Sequence, residues 1–143
     1  MGFLLLIAKW ILSLRYRVTV KGLDAIQERF KDRSSGVLFL PNHPAHIDPL
    51  LLMVHLYGPF RPRPLVVDFM YKTPFLKPFM QKVHALVMPN FDHSVNQLKI
   101  KRANEAMQQI ADGLKNGENF LLYPSGKIKL NGQEGIGGAS AAF

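Results

Sequence analysis

The sequence contains no cysteine, which excludes disulfides, thiolate metal sites and a cysteine nucleophile and leaves the redox compartment undetermined. It has no apolar run long enough to cross a bilayer, which takes roughly 20 residues. The N-terminal run Phe3–Leu14 (FLLLIAKWILSL) is far shorter and is interrupted by Lys9 and Ser13. A secretory signal does not fit either, because the positive charge follows the apolar stretch and no small-residue cleavage site comes after it. Acid is scarce: 10 Asp and Glu stand against 18 Lys and Arg, for a formal charge of +8. That surplus favours an anionic partner, whether nucleic acid, an acidic bilayer or a phosphorylated substrate. What is present suits one globular domain, since 143 residues are too few for two and 48% hydrophobic residues are enough for a core.

The N-terminus narrows the choice of anion. Phe3–Leu14 is followed by Arg15, Arg17 and Lys21, as in a helix lying in a bilayer interface with its tryptophan, Trp10, at headgroup depth and the basic cluster over anionic lipid. A helix packed on the rest of the domain fits the same residues, and one helix can do both. Residues 1–16 are therefore read as a membrane-interface helix and 17–143 as the main domain.

Strand and helix signals alternate through that domain. Arg17–Val20 reads as a short strand and Leu23–Phe30 as a helical turn. Gly36–Leu40 (GVLFL) is a continuous apolar run with the character of a buried strand. Asp48 and Pro49 open a helix through Tyr57, with Asp48 as N-cap and the proline at the first helical position. Leu65–Met70 reads as the next strand, Thr73-Pro74 as the start of a helix through Val83, and Ala85–Met88 as another strand. Ser94 is expected to cap the longest helix, which runs to Asn116 and stops at Gly117. Its residues Val95, Leu98, Ala103, Met107, Ile110 and Leu114 recur at helical spacing and are assigned to the core. Asn119–Tyr123 is a last strand before a Gly- and Lys-rich loop. The alternation predicts an α/β domain with a mostly parallel central sheet flanked by helices. The chain closes on Ala139–Phe143 (ASAAF), which reads as a helix beginning, so the domain is expected to be C-terminally incomplete.

In open α/β sheets, ligands bind outside the carboxyl ends of the strands. The loop after Gly36–Leu40 is PNHPAHID, from Pro41 to Asp48. Four residues separate His43 from Asp48, enough for the carboxylate to fold back onto one imidazole nitrogen. The other nitrogen then exchanges protons near neutral pH in a fixed tautomer. This is the base and orienter of a triad without its nucleophile, suited to taking a proton from a substrate hydroxyl. Each residue alone also fits a structural role, Asp48 as a cap and His43 as a satisfied histidine. Their combination at one sheet edge, with Asn42 beside them, favours catalysis.

At this point the sequence resembles a family. NHPAHID at Asn42–Asp48 matches the N-H-x-x-x-x-D motif of the glycerophospholipid acyltransferases, typified by 1-acylglycerol-3-phosphate acyltransferase. A V-x-V-x-G-L-D stretch (Val18–Asp24) precedes it, and Lys72 with the Pro-rich segment after it is similar to the family's second block. LYPSGK at Leu122–Lys127 resembles the third block, usually F-P-E-G-T-R. Three blocks in order at fitting spacings carry far more weight than H-x-x-x-x-D alone. The resemblance implies that residues 17–143 are an acyltransferase catalytic domain, with His43 as general base and Asp48 as its partner. It implies acyl transfer from acyl-CoA or acyl-carrier protein to a lysophospholipid hydroxyl, with no resident cofactor, on the cytoplasmic face of a membrane. Asn42, Lys72, Tyr123, Pro124, Ser125, Gly126, Lys127 and Lys129 are the implied substrate-binding residues, the third block holding the acceptor's phosphate. Here the sequence departs from the pattern: Ser125 stands at the usual glutamate and Ile128 at the usual arginine. Lys127, Lys129 and the Gly126 backbone N–H are the replacements on offer, and Arg61, Arg63 and Lys72 are further phosphate candidates.

Rival readings fare worse. His43, His46 and Asp48 form H-x-x-H-x-D, but dinuclear zinc hydrolases use H-x-H-x-D-H, and Pro49 occupies the last position; no metal is expected. No G-x-S-x-G elbow supports a serine hydrolase. Nucleic-acid binding finds charge but no motif and no clustering of basic residues with aromatics. A catalytically weak lipid-binding module derived from the same family is the remaining alternative.

Overall fold

Short apolar segments pair side by side at the centre of the computed structural model, which describes residues 2–31, 34–91 and 94–126. The strands are β1 (Leu38–Phe39), β2 (Arg63–Val67), β3 (Leu86–Met88) and β4 (Phe120–Leu121). The helices are α1 (Gly2–Ser13), α2 (Leu23–Phe30), α3 (Asp48–Phe60), α4 (Asp68–Tyr71), α5 (Lys77–Lys82) and α6 (Gln97–Lys115). All pairings are parallel and the sheet order is β1-β4-β2-β3, so the last strand in sequence lies inside the sheet. The expected α/β class with a parallel sheet flanked by helices is what the chain forms.

The sheet is covered on both faces, which is why its strands are continuously apolar. Successive residues of β4 point to opposite faces. Phe120 and Leu122 join Leu65, Leu86, Ala106 and Ile110 in a core under α6. Leu121 joins Met53 and Val83 in a second core, with Phe39, Leu52 and Phe79 packed around it, under α3 and α5. Gly113 of α6 lies so close to Phe120 that a Cβ there would stand 2.6 Å from the ring; only glycine lets helix and strand approach this far. Gly117, at φ +82°, ends α6 in the left-handed conformation that its sequence position predicts.

The ends of elements depart from expectation where side chains found better partners. Residues 17–20 form no strand. Met70 lies in α4, not β2. The second Pro-led helix begins at Lys77, because Thr73–Leu76 forms a turn whose Thr73 carbonyl accepts from Leu76 and Lys77. Asn96, not Ser94, caps α6, its side chain accepting from the Lys99 N–H at 2.9 Å. Ser94 instead receives the Lys99 ammonium, which also reaches the carbonyl of Asn90. Val95 therefore precedes the helix, and both Val95 and Leu98 are exposed; Ala106 and Ile110 carry the α6 contact.

Asn119 ties the other edge of the sheet together. Its Oδ1 accepts from Val37 N–H at 2.7 Å, its Nδ2 donates to the Phe60 carbonyl, and its own carbonyl accepts from Arg63 N–H. One side chain thus joins the start of β1, the end of α3 and the start of β4.

Candidate active site

Parallel strands deliver their carboxyl ends to a single edge, and the adjacent strands β1 and β4 lead into the loop 40–47 and the turn 123–126. α3 starts at Asp48 with Ile47 in the cap position. The Asp48 carboxylate therefore does not cap the helix as expected but turns back into the loop. Its Oδ2 accepts from the Ala45 N–H at 2.7 Å and lies 3.2 Å from His43 Nδ1. A carboxylate only accepts, so Nδ1 carries the proton and Nε2 the lone pair in the neutral ring. The two side chains are 15% and 16% exposed, shielded enough for their attraction to be felt and open enough for a substrate to arrive.

Tyr123, the second residue past β4, stacks on the His43 ring with centroids 4.2 Å apart and planes inclined by 26°. Carboxylate at one atom and aromatic face on the ring together leave the imidazole little freedom to tilt. The Tyr123 hydroxyl is buried and has no hydrogen-bond partner among the described residues. Burial, and secondarily the negative charge of Asp48, push its pKa above the ordinary phenol range, so the phenol stays neutral.

The remaining anticipated site residues divide. Pro124, Ser125 and Gly126 form the turn after Tyr123, with Ser125 buried. Gly126 has φ +62° and donates its N–H to the Tyr123 carbonyl at 3.0 Å. That donor closes the turn, which corrects the expectation that it faces an anion. Asn42 is exposed in the loop beside His43. Lys72 ends α4, which leaves the same edge of the sheet, and its exposed ammonium lies 3.9 Å from Asp68. Lys127 and Lys129 lie outside the described residues. Arg61 and Arg63 are on the opposite edge: Arg63 opens β2, pairs with Glu118 and donates Nε to the His84 carbonyl at 3.0 Å. The length of β2, on the order of 15 Å at a strand's rise per residue, separates them from the dyad, so neither serves as its phosphate ligand. A concavity of about 480 Å³ beside Gln27, Phe30 and Asn119 also belongs to that opposite edge.

Sequence reasoning missed two supports of the dyad. The Ala45 N–H has no sequence signal, being a backbone group. The stacking of Tyr123 on His43 joins residues 80 positions apart and depends on β4 lying beside β1. Among the described residues no three His, Asp or Glu side chains converge as a metal site.

No curated protein and no solved structure shows significant similarity to the chain. A family model described as Acyltransferase matches residues 17–139. The match runs through all four strands and takes in the dyad, Lys72 and the turn after β4. The chain belongs to this acyltransferase family, that of the glycerophospholipid acyltransferases.

Proposed function

We propose that the protein moves a fatty acyl group from acyl-CoA or acyl-carrier protein to the free hydroxyl of a lysophospholipid such as 1-acylglycerol-3-phosphate, a step of phospholipid biosynthesis. The observation that carries the reading is the contact of His43 Nδ1 with Asp48 Oδ2, 3.2 Å long, at the carboxyl edge of the sheet. His43 Nε2 takes the proton of the acceptor hydroxyl as its oxygen attacks the thioester carbonyl. The tetrahedral adduct collapses, the C–S bond breaks, and the imidazolium returns the proton to the departing thiolate. Asp48 stabilises the transient imidazolium and holds its tautomer; Tyr123 holds the ring plane. Asn42, Lys72 and the turn Tyr123–Gly126, with Lys127 and Lys129 beyond it, bind the substrates.

The acceptor is a bilayer lipid, and α1 supports residence at the membrane. Leu5 and Leu12 are buried as α1 packs against α3. Phe3, Leu6, Ile7, Trp10, Ile11 and Leu14 form a second apolar stripe that is exposed, at the spacing of one helix face. Among the described residues no helix is long and apolar enough to cross a membrane, and a helix this short lies along the surface of the bilayer. Acyl-CoA and acyl-carrier protein place that surface on the cytoplasmic face.

The second reading is a lipid-binding module with little catalysis. Ser125 favours it, since a small buried hydroxyl stands where the third block usually carries glutamate. Incubation with labelled acyl-CoA and a panel of lysophospholipids separates the two. We expect ester product from at least one acceptor, lowered by roughly 10²–10⁴-fold in a folded His43→Ala protein. Lipid binding without turnover in the wild type refutes the enzyme reading.

A further inference from the structure

The segment 69–91 holds no acidic residue, and Lys72, Lys77 and Lys82 recur along it at intervals of five. It leaves the carboxyl end of β2, next to the strand that leads to Tyr123, so α4 and the turn through Phe75 stand at the edge of the sheet that bears the dyad, and α5 leads back toward the start of β3. Its phenylalanines divide sharply. Phe79 on α5 is partly buried and packs against the core, whereas Phe69 is 58% and Phe75 94% exposed. Pro74, Lys77, Pro78 and Lys82 around Phe75 are exposed as well, and Lys77 and Lys82 form no ion pair among the described residues. Two uncovered phenylalanines carry a large burial energy that the fold leaves unused. Lys72 already faces Asp68, but a protein partner with a matching apolar pocket would have to meet Lys77 and Lys82 as well. An anionic bilayer answers both features at once, taking the rings among its acyl chains and the ammonium groups among its phosphates.

We infer that the α4–α5 segment is a membrane-contact element separate from α1, with Phe75 and Phe69 inserting into an anionic leaflet and Lys77 and Lys82 on its headgroups. This places the mouth of the candidate site against the surface that holds a lipid acceptor, and to that extent it rests on the lipid-substrate reading above. The element itself is tested without turnover.

The chain offers two independent reporters. Trp10, its one tryptophan, lies on the exposed face of α1, and the absence of cysteine lets Pro74→Cys take a single polarity-sensitive dye beside an intact Phe75. Phosphatidylglycerol-containing vesicles are titrated while both signals are read, with a dye at Gln109→Cys on the exposed side of α6 as control. We expect a blue shift of the dye at position 74 and its quenching by lipid-borne quenchers, with the dye at position 109 unchanged. Phe75→Ser in the labelled background should weaken vesicle affinity by about tenfold. Lys77→Gln with Lys82→Gln should weaken it by roughly 10- to 30-fold on anionic vesicles and leave neutral phosphatidylcholine vesicles unaffected. A Trp10 shift with a water-like dye at position 74 overturns the second contact while leaving α1 at the membrane. No shift of either reporter overturns both membrane readings, and the turnover assay judges the enzyme reading by itself. A dye already shielded before vesicles are added, or shifted by protein concentration alone, assigns the patch to the chain itself or to a second copy and overturns the proposal.

Discussion

Replacing Asp48 by asparagine separates the charge of this side chain from its geometry. One oxygen, Oδ2, faces both the Ala45 N–H and His43 Nδ1, at 2.7 and 3.2 Å. An asparagine carbonyl oxygen in the same place still accepts both protons, so the loop and the start of α3 keep their bonds. What disappears is the attraction for an imidazolium. At 3.2 Å and an effective dielectric constant of about 20, that attraction is about 5 kcal/mol. Solvent reaches both side chains, which lowers the usable part to roughly 3 kcal/mol, or about 10²-fold in rate. Asp48→Ala removes the acceptor as well, orphaning two part-buried donors at a cost of about 1–3 kcal/mol, or roughly 3–10 °C in Tm. Free thiol released from acyl-CoA reads turnover directly, because the protein contributes no cysteine. We expect Asp48→Asn to lose kcat by about 10²-fold at nearly unchanged Tm, and Asp48→Ala to lose both. Asp48→Asn protein with more than a third of wild-type kcat would refute the charge argument. An equal fall in Tm for both variants would show that the residue acts as a structural tie.

Tyr123→Phe keeps the ring over His43 and removes a buried hydroxyl that has no partner among the described residues, so it should gain up to about 2 kcal/mol in denaturant unfolding. The raised phenol pKa of the folded state contributes stability that is full below the ordinary value near pH 10 and is lost above it. The variant's advantage should therefore widen from pH 8 to pH 10.5, and a constant gap contradicts the burial argument. Asn119→Ala leaves the Val37 N–H and the Phe60 carbonyl without their partner and should lower stability by about 1–3 kcal/mol; an unchanged midpoint would mean that water replaces the amide. Lys127→Ala with Lys129→Ala should raise KM for the lysophospholipid well above any change in KM for the acyl donor. A rise confined to the donor assigns these lysines to coenzyme A phosphates.

Much of this protein was legible in its sequence because the signals are local. The apolar runs bounded by Gly and Pro located the strands, Gly117 ended α6, and the five-residue step from His43 to Asp48 is short enough that the loop itself brings the imidazole to the carboxylate. Local signals failed where neighbours compete for one backbone group. Asn96 took the cap read for Ser94, and Asp48, read as a cap, turned to Ala45 and His43 because Ile47 already occupies the cap position. Only the tertiary structure decided the sheet order, since the pairing of β4 between β1 and β2 depends on long-range packing that no short window contains. That order sets Tyr123 against His43, moves Arg61 and Arg63 to the far edge, and gives Gly113 its contact with Phe120. It also decides which apolar residues remain uncovered: Phe79 and Phe75 are the same residue type four positions apart, and only the packing of α5 on the sheet partly covers one and leaves the other in solvent.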